Sequence, residues 1–168
     1  TGGVLAVLIL ELTDGADLPE ALVAAKACLR ARAGHGETLR ALERAEELAV
    51  SGGGHDEAIA ALGQGWVAEE ALAIAVYCSL VARDFREGVL LAVNHDGDSD
   101  STGSIAGNLL GTLHGVEAIP SEWLEPLEVR EVITELADDL YAFRDWKIGE
   151  DATDDEESQR LWRKYPGF

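Results

Sequence analysis

The stretch NHDGDSDSTGSIAGNLLGTLHG, residues 94–115, sets Asp96, Asp98 and Asp100 at alternate positions and follows them with Ser101. Carboxylates crowded into one glycine-bearing turn repel each other, so the pattern calls for a positive partner among them. Alternate oxygens aimed at a common centre suit hard divalent cations: Mg²⁺, Mn²⁺ or Ca²⁺. An EF-hand is excluded. With Asp96 opening the loop, the places that require glycine and glutamate hold Ser101 and Gly107. What remains is Asp98–Ser101 in the first turn of a helix, where two carboxylates and a hydroxyl meet a positive helix end. The same residues also make good N-caps, and Asp clusters are common in turns. Spacing alone leaves both roles open.

The helix that follows carries Gly103, Gly107, Gly111 and Gly115, one every fourth residue, which forms a near-straight ridge. An interior glycine costs about 0.5–1 kcal/mol relative to alanine. Such a ridge is expected where another helix must come close. The expectation is a central, tightly clasped helix with the aspartate loop held at its N-terminal mouth. Close packing by itself also accounts for the glycines.

Helical periodicity dominates the rest, and no alternating run of strand length occurs; the class is all-α. Residues 3–12 are nearly all apolar and read as a central core helix. A second helix is expected over 19–33, with Pro19 in its first turn. Residues 34–50 are amphipathic, with Leu39, Leu42, Ala45 and Leu48 inward and Glu43 and Glu47 outward. A glycine turn at 51–57 precedes a short helix from Asp56. A second glycine turn, GQGW at 63–66, leads into a helix over 68–82 with Ala71, Ile74, Ala75, Cys78 and Val81 on one face. Helices over 84–93, 101–114 and 127–143 complete the pattern. The tail, 151–168, is first acidic and then aromatic; Trp162, Tyr165 and Phe168 are expected to staple it to the body formed by 1–150.

The 168 residues suit one domain with a sizeable core, and 47% hydrophobic content is too rich for disorder. The formal charge of −19 argues against non-specific binding to nucleic acid or an anionic membrane. A phosphate-bearing ligand must instead be received by cations or by helix N-termini. Cys28 and Cys78 sit in apolar helical patterns and read as small buried hydrophobes of a reducing, cytoplasmic protein. The apolar opening lacks basic residues and meets Glu11 too soon to span a bilayer. With Thr1 leading and no methionine, the sequence reads as a piece of something longer.

GDSDSTGSIAGNLLGTLHG, residues 97–115, resembles the C-terminal signature of the ADP-ribosylglycohydrolase family, G-D-[ST]-D-[ST] followed by small residues and A-G. Three other stretches agree in order. TGGVLAVLI at the start resembles the helix after the family's His-Pro loop. LGQGWVAEEALAIAVYC resembles its glycine turn and following helix, and WRKYPGF is similar to the close of bacterial members. Family members run to about twice this length, and the G-D-A-x-G segment of their N-terminal half does not occur here. The resemblance therefore concerns the C-terminal half, and the fold it implies is an incomplete version of the family's compact orthogonal helical domain.

It implies a hydrolase that cleaves the glycosidic bond between ADP-ribose and a protein side chain or small acceptor, using two Mg²⁺ ions (or Mn²⁺) held between the halves. Asp98 and Asp100 then correspond to catalytic, metal-ligating carboxylates, and Ser101 to a hydroxyl ligand where Thr is more usual. Asp96 corresponds to a substrate contact or an outer support. Gly63, Gly65 and Trp66 correspond to a turn bordering the ribose; core packing is the other role open to Trp66. Asn94 and His95 read as loop stabilisers, and His35, His55 and His114 as surface or packing residues. The implied partners are an ADP-ribosylated protein or small molecule and the missing N-terminal half, with no membrane or nucleic acid. This chain would supply half of the dinuclear site. The competing reading is an inactive fragment or relative, acting as a metal-binding or structural helical protein.

Overall fold

The computed structural model describes residues 1–147 and 155–166. Among them every regular element is helical. The helices are α1 (Gly2–Thr13), α2 (Leu18–Arg30), α3 (Gly36–Ser51), α4 (His55–Leu62), α5 (Ala68–Val81), α6 (Phe85–Val93), α7 (Ser99–His114), α8 (Ser121–Leu124), α9 (Arg130–Ala142) and α10 (Glu156–Lys164). The chain divides into two compact units, Thr1–Ser121 and Glu122–Phe168. No helix of the described residues is long and apolar enough to cross a membrane.

In the first unit α5 is the central helix. It packs against α3, α4, α6 and α7, and every residue from Ala71 to Ser79 is buried. The expectation of one inward face is thus too narrow: a helix apolar all round is buried all round. Three alanines and Ser79, whose hydroxyl donates to the Ala75 carbonyl at 2.8 Å, keep its girth small enough for that crowding.

The apolar α1 is not central. Val4, Leu8 and Leu12 are buried, one per turn or so, against α2 and α7, whereas Leu10 on the opposite side is 55% exposed. Hydrophobicity fixed its helical character but not how many neighbours it has. The start of α2 follows its local chemistry: Asp17 accepts from the Glu20 N–H at 2.8 Å, Glu20 accepts in return from the Asp17 N–H, and Pro19 fills the first turn. Ion pairs Lys26–Glu46 at 2.5 Å and Arg30–Glu43 at 2.9 Å join α2 to α3.

Two expectations fail here. Both cysteines are free thiols, but only Cys78 is buried. Cys28 lies past the buried stripe Leu18, Ala21, Leu22 and Ala25, where α2 opens onto a cleft of about 410 Å³ beside α1 and α3. The glycine ridge of α7 is not clasped along its length. A methyl at Gly107 would meet nothing within 4 Å, and one at Gly111 would make ordinary contact with Phe85 at 3.9 Å. Only at Gly103 is the fit tight, 2.5 Å from Val93. α6 and α7 also press together at Gly88, whose added methyl would stand 2.4 Å from Leu110.

In the second unit, α9 and α10 are tied by Lys164, which donates to Glu135 and Asp139, and by the Tyr165 hydroxyl, which donates to Asp139 at 2.6 Å. Trp146 stacks at a tilt on Tyr165, 5.8 Å between centroids. α9 begins later than the sequence pattern suggests, after Val129 in the left-handed region at φ +52°. Trp162 is exposed. The acidic residues 148–154 and the terminal Phe168 lie outside the described residues.

Candidate functional site

α7 starts at Ser99, two residues before the spacing suggests, so Asp98 occupies its N-cap position and Asp100 its first turn. The Asp98 side chain does not cap the helix. Its backbone explains why. Capping needs an extended N-cap residue whose side chain falls over the following amides, but Asp98 has φ −76° and ψ 72°. The Ser99 N–H donates to the Gly97 carbonyl at 2.9 Å, which makes Asp98 the centre of an inverse γ-turn. Its carboxylate is therefore free to meet side chains instead.

It meets Asp100 and Ser101. The Asp98 carboxyl lies within hydrogen-bond reach of the Asp100 carboxylate, which pushes its pKa up, while a hydrogen bond from Ser101 pulls the other way. Asp100 is held below the usual carboxylate range, first by Asp98 and then by backbone N–H donors, among them that of Ser101 at 3.0 Å. Like charges this close hold a proton or a cation between them. The result is a cluster of hard oxygens, two carboxyls and a hydroxyl, at a helix mouth.

The loop is locked to the GQGW turn. The Asp98 N–H donates to the Gln64 carbonyl at 2.7 Å. A methyl on Gly97 would stand 1.9 Å from that same carbonyl oxygen, so only glycine allows the two backbones to meet. On the other side Glu70, from the first turn of α5, accepts from the N–H groups of Gln64 and Gly65 at 3.0 and 3.1 Å. Gly65 turns at φ +80°, with the methyl of Thr102 and the Asp98 backbone close by.

The seven expected site residues separate across this junction. Gly65, Trp66, Asp98 and Ser101 line one cleft of about 270 Å³, together with Thr1, Leu5 and Ile105. Trp66 is 66% exposed there, not a core residue, and its indole N–H donates to Gln64 Oε1 at 3.0 Å. Asp100 is exposed beside Asp98. Gly63 and Asp96 instead line a polar cleft of about 390 Å³ with Asp56, Gln64, Asn94 and His95. The alternation that lines up three aspartates in sequence thus sends Asp96 to a different face from Asp98. Of the other histidines, His55 is exposed with its Nδ1 at 2.8 Å from the Tyr77 hydroxyl, and His35 Nδ1 is 2.7 Å from the Arg32 carbonyl.

Among the described residues no three His, Cys, Asp or Glu side chains converge on one point. Asp98, Asp100 and Ser101 suit Mg²⁺ or Mn²⁺ in donor type, as hard oxygens, but they form part of a coordination sphere. The residues that spacing did not reveal are Gln64 and Glu70, which act through a carbonyl and through backbone amides, and Thr102. The last did leave a signal. It shares a helical stripe with the buried Ala106, Leu109 and Leu110, and a hydroxyl on an apolar stripe must find partners.

An uncharacterized protein of Archaeoglobus fulgidus is 39% identical over 84 residues, 50% of this chain and 27% of that protein. ADP-ribosylarginine hydrolase Tri1 of Pseudomonas putida is 35% identical over 72 residues, 43% of this chain and 19% of its own length. ADP-ribosyl-[dinitrogen reductase] glycohydrolase of Rhodospirillum rubrum is 42% identical over 50 residues, 30% of this chain and 17% of its own. The chain thus matches well under two thirds of these relatives' lengths. No solved structure gives a significant match. Residues 1–148 match the family described as ADP-ribosylglycohydrolase from end to end of the first unit and beyond, and the chain belongs to the ADP-ribosylglycohydrolase family.

Proposed function

We propose that this chain provides the Asp98–Asp100–Ser101 side of a hydrolase site that cleaves the glycosidic bond between ADP-ribose and its acceptor. One observation carries the reading: Asp98 stands at a helix N-cap without capping it, and its carboxylate is turned to Asp100 and Ser101. A cap would have no need of that geometry. The names of the relatives favour an ADP-ribosylated side chain as substrate, arginine first.

Asp98, Asp100 and Ser101 would hold a divalent cation, which supplies Lewis acidity toward the ribose hydroxyls and offsets the substrate's phosphates in a protein of net charge −19. The chain's own groups do the rest. Trp66 gives the cleft a flat, exposed wall against which a sugar or base can stack, and its bond to Gln64 fixes the ring. Gly65 keeps the turn low enough for a ligand to approach Asp98. The carboxylates stabilise positive charge developing at the anomeric carbon.

The cluster offers fewer oxygens than two octahedral ions need, which favours a site completed by residues from another segment. The chain alone should bind Mg²⁺ weakly and turn over little. Hydrolysis of ADP-ribosyl-arginine, measured with Mg²⁺ and with a chelator, tests both points. Full turnover by these 168 residues overturns the half-site, and metal-independent turnover unchanged in Asp98→Asn overturns the assignment of the cluster.

A further inference from the structure

Thr102 is fully buried, at 0% exposure, one turn into α7. Four polar groups surround its hydroxyl: the Ala92 carbonyl at 2.6 Å, His95 Nε2 at 2.9 Å, and the Asp98 and Ser99 carbonyls at 3.2 Å each. His95 in turn faces the Gly97 N–H through Nδ1, at 3.1 Å. Counting hydrogens fixes the directions. The Gly97 N–H can only donate, so Nδ1 accepts and the neutral imidazole carries its proton on Nε2. Nε2–H donates to Thr102 Oγ1, and the Thr102 hydroxyl gives its own proton to the Ala92 carbonyl, the shortest contact. A one-way chain runs from Gly97 through His95 and Thr102 to the last turn of α6.

That chain starts on the residue that precedes Asp98. Gly97 is pinned by His95 on one side and by the Gln64 carbonyl on the other, and the two restraints together hold the γ-turn. The Thr102 methyl faces Gly65, so a single side chain braces the aspartate loop through its hydroxyl and the GQGW turn through its methyl.

We propose that His95 and Thr102 are positioning residues for the oxygen cluster, holding the Asp98 turn at the angle that keeps its carboxylate beside Asp100 and Ser101. This rests on the cation-binding reading of that cluster. Neither residue touches the cation or the substrate; they act through Gly97 and the Asp98 backbone. Supports of this outer kind typically change metal affinity by about 10–100-fold.

The test is Mn²⁺ titration of the ¹⁵N-labelled 168-residue chain, read as paramagnetic broadening of the amides from Gly97 to Ser101. The parent should broaden selectively there, and Asp98→Asn should not. Thr102→Val keeps the methyl and removes the hydroxyl, and His95→Ala removes the donor. Both should bind about tenfold or more weakly, while Thr102→Ser and His95→Gln recover most of the loss. The imidazole ¹⁵N shifts of His95 should show Nε2 protonated and Nδ1 bare. If Thr102→Val does not fold, His95→Ala decides. Parent-like affinity in His95→Ala alongside a loss in Asp98→Asn overturns the positioning role alone, as does the opposite tautomer. Absence of selective broadening in the parent, or parent-like binding by Asp98→Asn, overturns the cation reading and this proposal with it.

Discussion

Asp84 and Asp98 stand at the same position, the N-caps of the consecutive helices α6 and α7, and their carboxylates do different things. Asp84 is extended, at φ −154° and ψ 172°, and accepts from the Glu87 N–H at 2.8 Å. The turn beside it is closed further by Arg83, whose guanidinium and backbone N–H both donate to Glu87. Asp98, folded into a γ-turn, makes no cap bond and turns its carboxyl to a second carboxyl. One aspartate is spent on the stability of its helix; the other is withheld from it. Residue type does not separate them. The difference lies in the backbone, which at Asp98 is set by its latch to Gln64 and at Asp84 is left to the ordinary geometry of a helix start.

The most severe way to break the contrast is Gly97→Ala. Its methyl would stand 1.9 Å from the Gln64 carbonyl oxygen, so the loops must part. Overpacking of this kind costs about 1–3 kcal/mol, and thermal unfolding should show that loss together with the disappearance of Mn²⁺ binding. Next, Asp98→Asn should weaken Mn²⁺ binding about tenfold or more while Asp84→Asn leaves it unchanged, as a titration of both variants will show. Stability should reverse that order. Asp84→Ala removes a working cap, worth about 1 kcal/mol, whereas Asp98→Ala should leave the urea midpoint where it was or raise it by relieving the carboxylate pair.

Two smaller effects follow from proton linkage. Glu87 is lowered to about 2 by Arg83. A depressed carboxyl stabilises the fold above its unfolded value and loses that contribution as pH falls through the folded one. Arg83→Met removes the guanidinium but keeps the backbone N–H donor, so an NMR titration should show Glu87 rising part of the way toward the usual carboxylate range, with a shallower acid-side fall of stability. At the other helix, Asp98 is raised and must release its proton to admit a cation. Mn²⁺ affinity should climb with pH through the acid range and then level off, as titrations of the parent at several pH values will show.

Much of the fold was legible in the sequence because local chemistry decides it. Asp17, Pro19 and Glu20 announce the start of α2, and the recurrence of Ala71, Ile74, Ala75 and Cys78 announces the helix α5, though not its burial on every side. Less legible was anything that depends on how many neighbours a helix has. The near-uniform apolarity of α1 looks central, yet its buried residues face α2 and α7 while Leu10, on the other side, is exposed. The glycine ridge points to a long clasp, yet α6 presses on α7 through Gly88 and Val93 at two places. For the site, the identity of Asp98, Asp100 and Ser101 as a cluster could be read from spacing. That Asp96 faces another cleft could not, because the γ-turn at Asp98 breaks the alternation. Nor could Gln64, whose carbonyl does the work and whose side chain type carries no information about it.

The placement of Trp66 has a practical consequence. It is the one tryptophan in residues 1–121, and it shares a cleft with Asp98 and Ser101. Terbium, a hard trivalent ion that favours oxygen, emits when a nearby indole passes it excitation energy. The protein thus carries its own antenna: Tb³⁺ luminescence excited through Trp66, and lost in Trp66→Phe, would report occupancy at the helix mouth without substrate or label.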